Sequence, residues 1–441
     1  MRKAALHNLG CKVNAYETEA MQELLEEAGY EIVPFHEKAD VYVINTCSVT
    51  NMADRKSRQM IHRARKQCPE AVIVAAGCYV QAKTDAGERD ENIDIVIGNN
   101  KKRELSPILE EYFRKEERTQ VQEVIDINHT KEYERLALHR TAEHTRAYLK
   151  VQDGCNQFCT YCIIPYARGR VRSREKADVV QEVRTLAANG YREVVLTGIH
   201  LSSYGVDMKE ADGAQREDLL SLIRAVHEVE GIERIRLGSL EPRIVTEAFA
   251  EALSALPKIC PHFHLSLQSG CDATLARMNR RYDAAEYEEK CGLLRKYFDH
   301  PALTTDVIVG FPQETEEEFE ASRAFVDRIN FYETHIFKYS RRRGTKAAEM
   351  PGQVPEQVKT VRSNVLLALD EEKRRRYEEM WLGKEVEVLF EEIVEKDGAR
   401  YATGHTKEYM KIQVPCGGDA EEMWVNQIRK VKLINLSQII H

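Results

Sequence analysis

Three cysteines stand close together in the middle of the chain, in a run Cys-Asn-Gln-Phe-Cys-Thr-Tyr-Cys that holds Cys155, Cys159 and Cys162. This spacing lets three thiolates converge on one small inorganic group from a single short loop. A structural zinc ion takes four protein ligands, and an iron–sulfur cube held by four cysteines is coordinatively closed. The nearest other cysteines in sequence are Cys78 and Cys260. The pattern therefore favours a [4Fe–4S] cluster with three cysteine ligands and one iron open to an exogenous ligand.

Two plainer interpretations of this loop stay open at this point. The thiols could be free, or they could bind zinc with a distant histidine as the fourth ligand, because CxxC-like patterns also serve zinc and redox roles. In the second case the chain would be a non-catalytic zinc- and RNA-binding protein.

A second set of three cysteines, Cys11, Cys47 and Cys78, occurs as Leu-Gly-Cys, Asn-Thr-Cys and Ala-Gly-Cys. Each of them follows a predicted buried strand. In an open α/β sheet the carboxyl ends of the strands share one edge, where ligands bind, so thiols from three separate loops can meet there. Buried structural cysteines are an equal alternative on spacing alone.

The elements that must position these thiols follow from hydrophobic periodicity. Parallel strands are predicted at 4–9, 41–46 and 71–76, with helices at 14–26 and 52–67. The first helix is predicted to begin with Asn14 as its cap and Glu17 as its capping-box partner. Residues 115–140 are charged and aperiodic, which is typical of a linker.

Six further strand–helix units predict a parallel sheet curled into a partial barrel, with the first cysteine loop at its carboxyl face. The predicted strands are 147–152, 193–197, 234–239, 262–267, 303–309 and 334–339. The predicted intervening helices are 176–188, 217–229, 244–255, 284–298 and 314–329. A helix over 355–381 and alternating segments after it predict a small β-barrel at the C-terminus.

Composition limits where the protein acts and what it binds. A chain of 441 residues suggests two or three domains. The net charge of −8 means that any nucleic-acid contact must come from local basic patches. Eleven cysteines without a predicted leader favour the reducing cytoplasm, and no apolar run approaches the length of a membrane span.

The segment 151–170 resembles the signature of the radical S-adenosylmethionine (SAM) methylthiotransferases; it reads VQDGCNQFCTYCIIPYARGR. The resemblance implies that SAM binds the open iron through its amino and carboxylate groups and is cleaved to a 5′-deoxyadenosyl radical. It implies a second [4Fe–4S] cluster on Cys11, Cys47 and Cys78. The implied domains are an N-terminal open parallel α/β domain (1–115), a linker (116–140), a radical SAM partial (βα)6 barrel (141–375) and a TRAM β-barrel (376–441).

The same resemblance implies SAM contacts at the ends of successive barrel strands; the residues are Thr197, Gly198, Ser239, Glu241, Gln268, Asp306 and Gly310. Family members usually carry Gly-Phe-Pro-Gly at the last of these strand ends. Here Gln313 replaces the second glycine, which argues against a tight glycine turn. His200 and His264 are expected to be partly buried histidines with satisfied hydrogen bonds.

Within this family the stretch around the central cysteines looks most like the branch that acts on threonylcarbamoyladenosine, adenosine 37 next to the anticodon of tRNA. The carboxylate of that substrate suits a bidentate arginine, and Arg168 or Arg170 is the expected residue. Methylthiolation of isopentenyladenosine in tRNA or of a ribosomal-protein aspartate is the alternative. The resemblance implies tRNA as partner, with reduced flavodoxin or ferredoxin as electron donor.

Overall fold

The computed structural model describes residues 1–85, 89–116, 119–139, 145–208, 217–418 and 421–441. Its N-terminal part is a six-stranded parallel sheet in the order β2-β1-β3-β4-β5-β6. The strands are β1 Lys3–Asn8, β2 Glu31–Ile32, β3 Val41–Thr46, β4 Val72–Gly77, β5 Ile95–Ile97 and β6 Val121–Glu123. The helices are α1 Lys12–Glu27, α2 Asn51–Gln67, α3 Cys78–Asp85 and α4 Leu105–Arg114. β3 and β4 are buried along their whole length, as expected for parallel strands covered on both faces.

The start of α1 differs from the prediction. The helix begins before Asn14, with Cys11 at its N-cap, so Asn14 and Glu17 do not form a capping box. Tertiary contacts override the local capping preference, because the Asn14 amide donates to the carbonyls of Leu9 (2.7 Å) and Thr46 (3.0 Å). This bonding ties the start of α1 to the ends of β1 and β3.

The segment predicted as a linker is part of the folded structure. β6 extends the parallel sheet by pairing with β5. Further along, the Tyr133 hydroxyl donates to the Lys150 carbonyl at 2.6 Å, and the Tyr16 hydroxyl donates to the Leu136 carbonyl at 2.6 Å. The segment therefore packs across the N-terminal and central parts. Residues 117, 118 and 140 of the predicted linker, and the predicted boundary at 141, lie outside the described residues.

The central part is the predicted partial barrel. Two sheets, β10-β9-β7-β8 and β11-β12-β13, are joined by bridges from Ile235 to Ile259 and from Leu240 to Leu265. The strands are β7 Arg146–Asp153, β8 Arg172–Ser173, β9 Glu193–Gly198, β10 Arg234–Leu237, β11 His262–His264, β12 Ala302–Val309 and β13 Glu333–Lys338. The helices are α5 Ile164–Ala167, α6 Lys176–Ala188, α7 Leu219–His227, α8 Glu247–Ser254, α9 Asp272–Arg277, α10 Ala284–Tyr297, α11 Glu316–Ile329 and α12 Lys346–Glu349.

Side chains alternate along the barrel strands between the surrounding helices and the interior. On β12, Leu303, Val307 and Val309 belong to the main hydrophobic core, whereas Thr304 and Asp306 point to the opposite face. The alternation leaves polar side chains in the barrel interior, below the loops that carry the central cysteines.

The C-terminal part is a five-stranded antiparallel sheet in the order β17-β14-β15-β16-β18. It follows α13 Glu356–Glu379, and its strands are β14 Glu385–Lys396, β15 Ala399–Thr406, β16 Lys411–Pro415, β17 Ile428–Lys432 and β18 Ile439–Ile440. The predicted boundary at 375 falls inside α13. Between β15 and β16, the Tyr409 ring stacks on His262 at the start of β11 (ring centroids 4.8 Å apart). The sheet is therefore fixed to the amino ends of the barrel strands. Across the described ranges, no helix combines the length and apolar character that crossing a bilayer requires.

Candidate metal centres

The central cysteines lie on the loop that leaves the carboxyl end of β7. The loop is held closed by hydrogen bonds from the Cys155 amide to the Gly169 carbonyl and from the Cys162 amide to the Cys159 carbonyl, both at 3.0 Å. Gly154 has a φ of +69°, and a Cβ there would lie 1.9 Å from the Arg170 carbonyl oxygen. The position before Cys155 therefore requires glycine, because the two arms of the loop touch.

In the central trio (Cys155, Cys159 and Cys162), Cys155 is buried and the other two cysteines are half-buried. Burial raises the pKa of the Cys155 thiol to about 11, and the nearby Cys159 thiol adds to the effect. The Arg280 guanidinium donates from Nη1 to Cys159 Sγ at 3.2 Å and from Nε to the Tyr282 hydroxyl at 2.9 Å. Deprotonation of the Cys155 thiol is thus favoured when a cation or cluster compensates the thiolate charge.

The N-terminal trio (Cys11, Cys47 and Cys78) is assembled as the sheet topology predicts. Its members follow β1, β3 and β4, at one edge of the sheet. The loops approach closely, since a Cβ on Gly10 would lie 2.6 Å from Cys47 Sγ. Burial raises the pKa of the Cys47 thiol to about 12, and the Cys78 and Cys11 thiols raise it further. The three thiols therefore interact electrostatically at one site.

Arg168, one of the two predicted substrate residues, lies elsewhere than expected. Its side chain is 0% exposed. The guanidinium donates to both carboxylate oxygens of Glu17 (2.7 and 2.9 Å), to Asn14 Oδ1 (2.6 Å) and to Cys78 Sγ (3.2 Å). The prediction that Arg168 holds the substrate is wrong, because every part of its guanidinium is used inside the protein. Arg170 is exposed and stacks over the Phe158 ring at 4.5 Å.

Glu17 is the centre of a buried charge network that sequence reasoning missed. Besides Arg168, it accepts from Lys102 Nζ and Lys150 Nζ, each at 2.7 Å. Burial opposes ionisation, but the charges of Arg168, Lys102 and Lys150 hold the pKa of the Glu17 carboxyl well below its ordinary value. The available signal was Lys150, a lysine inside an otherwise apolar predicted strand.

The donor sets fit iron–sulfur clusters better than single zinc ions. Three thiolates on one zinc ion, at a Zn–S distance of about 2.3 Å, would lie within about 4.6 Å of one another. Within the described chain, the one group of three or more Cys, His, Asp or Glu ligand atoms that are within 4.8 Å of one another comprises His264, Asp306 and His335. Neither cysteine trio meets that spacing, which argues against one zinc ion bound by three thiolates in either place.

A cavity of about 240 Å³ is lined by residues from both cysteine regions. It is lined by Val49 and Thr50, which follow Cys47, and by Cys162 of the central trio. Two of the predicted SAM contacts, Gln268 and Asp306, line the same cavity. The cavity thus lies between the N-terminal domain and the carboxyl face of the barrel.

The other predicted SAM contacts lie at the expected strand ends but outside the described lining of this cavity. Thr197 and Gly198 end β9, Ser239 and Glu241 follow β10, and Gly310 follows β12. The proposed contact with SAM stays a prediction for all seven residues.

Gln313 replaces the family glycine, yet it adopts the left-handed conformation that a glycine would (φ +66°). Its amide donates to the Gly352 carbonyl at 2.8 Å, and its side chain reaches the Pro351 carbonyl at 3.4 Å. These bonds stabilise the turn, so the expectation that the glycine turn is lost was wrong.

His200 and His264, which were expected to have their hydrogen bonds satisfied, are each hydrogen-bonded at only one ring nitrogen. His200 Nδ1 bonds Ser203 Oγ at 2.7 Å, and His264 Nδ1 bonds Thr304 Oγ1 at 3.0 Å. In both rings Nε2 is buried without a hydrogen-bond partner. His264 Nε2 lies 3.4 Å from the Asp306 carboxylate, which lines the cavity.

Two protein-family models match the segments that contain the two cysteine trios. Residues 3–98 match the model of "Uncharacterized protein family UPF0004", and residues 149–326 match the Radical SAM superfamily. A threonylcarbamoyladenosine tRNA methylthiotransferase MtaB of Bacillus subtilis (strain 168) is 42% identical over 98% of this chain and 94% of its own length. The MtaB of Aquifex aeolicus is 42% identical over 88% of this chain and 92% of its own. A tRNA-2-methylthio-N(6)-dimethylallyladenosine synthase of Moorella thermoacetica is 38% identical over 87% and 85%.

Among solved structures, the radical S-adenosylmethionine methyltransferase TsrM of Kitasatospora setae has the same fold. Its complex with tryptophan and a SAM analogue aligns with a TM-score of 0.55 and 17% identity, over 76% of this chain and 73% of that one. At this identity the likeness supports the fold alone. Together with the full-length relatives and the two cysteine trios, it leads to one assignment: the chain belongs to the radical SAM methylthiotransferase family of enzymes.

Proposed function

We propose that the protein methylthiolates C2 of N6-threonylcarbamoyladenosine at position 37 of tRNA, next to the anticodon. The observation that carries this proposal is the 42% identity, over 98% of the chain, to a relative named for that reaction. A relative named for dimethylallyladenosine is 38% identical over a smaller share of the chain. Methylthiolation of isopentenyladenosine is therefore the second candidate.

The chemistry needs a cofactor because an aromatic C–H bond is not activated by acid–base groups at neutral pH, and the transferred sulfur needs a site of its own. When bound, SAM and [4Fe–4S] clusters supply one-electron chemistry and a sulfur atom. We propose that Cys155, Cys159 and Cys162 hold one cluster and that Cys11, Cys47 and Cys78 hold a second. The cavity lined by Cys162, and by the residues after Cys47, then provides a shared and partly apolar reaction space.

Substrate selection is proposed to fall to Arg170. It lies beside the central loop, it is exposed, and its guanidinium carbon lies 4.5 Å from the centroid of the Phe158 ring. A preorganised guanidinium can grip the carboxylate of a threonylcarbamoyl group through two parallel hydrogen bonds. An isopentenyl group would gain nothing from this residue, because it has no charge to pair.

Further roles follow the family pattern. The C-terminal sheet is proposed to be a TRAM domain that binds tRNA, and reduced flavodoxin or ferredoxin is the proposed electron donor. The proposed place of action is the cytoplasm. The proposed cluster ligands do not depend on these three assignments.

Two measurements test the proposed function. Protein purified and reconstituted without oxygen is expected to carry roughly eight irons and matching sulfide, four per cube. Mass spectrometry of tRNA nucleosides from a strain without this gene is expected to show loss of 2-methylthio-threonylcarbamoyladenosine. Loss of the isopentenyl analogue instead would select the second candidate. Colourless, zinc-containing protein that does not cleave SAM would overturn the enzyme assignment for this chain.

The Arg170 assignment has its own test. Arg170→Gln removes a charge-assisted hydrogen-bonding pair worth about 1.5–3 kcal/mol, so kcat/KM on threonylcarbamoylated tRNA should fall about 10- to 100-fold. Arg184→Gln, an exposed arginine on the outer helix α6, is the matched control. Equal activities of the two variants would remove Arg170 from the substrate site.

A further inference from the structure

Arg168 joins the two metal centres in an unexpected way. It follows the central cysteine loop along the chain, at the end of α5, yet its guanidinium contacts a cysteine of the N-terminal trio. We propose that Arg168 is a positioning residue for the N-terminal cluster: its hydrogen bond to Cys78 Sγ orients that ligand and raises the reduction potential of the cluster. This inference rests on the proposed function, since it requires a cluster on Cys11, Cys47 and Cys78.

The contact is specific in its geometry. Arg168 Nε donates to Cys78 Sγ at 3.2 Å, while both terminal nitrogens are occupied by Glu17 and Asn14. Asn99 adds a second donor, with its Nδ2 at 3.6 Å from the same sulfur and at 2.7 Å from the Ala167 carbonyl. Cys78 is thus approached by two donors that are both anchored on the segment before and at Arg168.

The guanidinium has no freedom to serve another partner. Arg168 is completely buried, and its main carboxylate partner, Glu17, is itself held by Lys102 and Lys150 at 2.7 Å each. Rotation of the side chain toward the cavity would remove the Arg168 hydrogen bonds from Glu17 and Cys78 and leave the Arg168 charge without its carboxylate partner. Unpaired buried charges are costly, so the observed arrangement is the one that persists.

The neighbouring Arg172 shows that burial of an arginine here does not by itself produce a thiol contact. Arg172 is equally buried, but its guanidinium lies 3.5 Å from the Asp153 carboxylate and donates to the Arg170 carbonyl at 3.1 Å. Within the described chain no cysteine sulfur is hydrogen-bonded to it. Arg172 is therefore a matched control for Arg168.

The physical effect of the bond is on the charge of the ligand sulfur. A donor to a ligating thiolate draws electron density from the cluster and stabilises its more negative, reduced state, which raises the reduction potential. The bond is charge-assisted and shielded from water, so the effect is stronger than that of an exposed donor. An N-terminal cluster with a raised potential would accept an electron more readily than one without this donor.

The test uses the full chain with Cys155, Cys159 and Cys162 replaced by alanine, so that one cluster remains. Iron content and the midpoint potential, followed by electron paramagnetic resonance during a redox titration, are compared for this background and for its Arg168→Gln, Arg168→Lys and Arg172→Gln derivatives. We expect Arg168→Gln to shift the potential to more negative values. Arg172→Gln should leave the potential unchanged, and Arg168→Lys should fall between the two.

The outcomes separate the inference from the proposed function. A background protein with no iron on its remaining trio would contradict the second cluster itself. Four irons with the same potential in background and Arg168→Gln would overturn the role of Arg168 alone. If Arg168→Gln loses its iron, the inference is supported when Arg168→Lys restores iron and Arg172→Gln keeps it. Equal iron loss in Arg168→Gln and Arg172→Gln would overturn it.

Discussion

The N-terminal and central trios each provide three thiols, but the chain brings them together differently. The central trio comes from one loop after β7, whose closure depends on Gly154. The N-terminal trio comes from three loops, and its geometry depends on the packing of β1, β3 and β4. A local loop can form its site early and independently. The N-terminal site exists only when the sheet is complete.

The two sites also differ in how they balance the charge of the arginine that donates to a cysteine. Arg168 beside Cys78 is paired with Glu17 at 2.7 Å and lies near Asp153 at 3.3 Å. Arg280 beside Cys159 is bonded to the Tyr282 hydroxyl, and within the described chain no carboxylate lies within ion-pair distance of it. Arg168 therefore forms ion pairs inside the protein, whereas Arg280 acts on the Glu241 carboxylate only from beyond ion-pair distance within the described residues.

Replacing one ligand in each trio gives the largest expected effect. Cys159→Ala and Cys47→Ala should each abolish methylthiolated product and each remove about half of the iron if each trio holds its own cube, as we propose. They should differ in SAM cleavage. Cys159→Ala should lose formation of 5′-deoxyadenosine, and Cys47→Ala should keep it, as measured by chromatography of SAM products under reducing conditions.

Cys291 provides the control for these substitutions. It is fully buried in the main hydrophobic core, and burial raises the pKa of its thiol to about 12, so Cys291→Ala should keep both clusters and both activities. Loss of SAM cleavage in Cys47→Ala, with full iron on the central trio, would show that the two sites are not chemically separate.

The second largest effect is expected from breaking the Glu17 ion network beside the N-terminal trio. Glu17→Gln leaves Lys102, Lys150 and Arg168 without their shared carboxylate, so the free energy of unfolding should fall by about 3–5 kcal/mol. Glu247→Gln removes one partner of the exposed pair with Lys296 and should leave the free energy of unfolding nearly unchanged, because solvent screens exposed ion pairs. Urea denaturation of cluster-free protein measures both.

The pH dependence of the Glu17 effect has a defined sign. The folded-state pKa of Glu17 is held well below its ordinary value of 4.5, mainly by Arg168, against the opposing effect of burial. Its contribution to stability is therefore present above that ordinary value and is lost as the pH falls toward the folded-state pKa. The difference between wild type and Glu17→Gln should shrink in acid. A constant difference would contradict the ion network.

Periodicity and topology rules predicted most of the framework. The strand predicted at 41–46 is observed as Val41–Thr46, and the helix predicted at 176–188 as Lys176–Ala188. The rule that strand ends share an edge predicted that Cys11, Cys47 and Cys78 follow three neighbouring strands, as observed, and their role as cluster ligands stays a prediction. These features were predictable because they depend on local hydrophobic pattern and on the few topologies open to parallel sheets.

The errors concern residues whose partners are distant in sequence. Glu17 fitted a capping box locally, but its buried partners come from Lys102, Lys150 and Arg168. Arg168 was assigned to substrate because it follows the cysteine loop, and nothing in the sequence places it against Cys78 of another domain. A lysine within an apolar strand is the one signal that could have indicated a buried carboxylate partner.

The smallest expected effect sharpens the comparison between the two arginines. Arg280→Gln removes a half-buried cation that has no carboxylate within ion-pair distance among the described residues, so the free energy of unfolding of cluster-free protein should change by less than about 1 kcal/mol, or rise. Arg168→Gln in the same assay should be strongly destabilising, because it leaves Glu17 short of a partner. If both variants lose several kcal/mol in urea denaturation, the central cation is balanced by the protein after all, and the contrast between the two sites fails. If only Arg168→Gln does, the positive charge beside Cys159 is reserved for bound ligand rather than for folding.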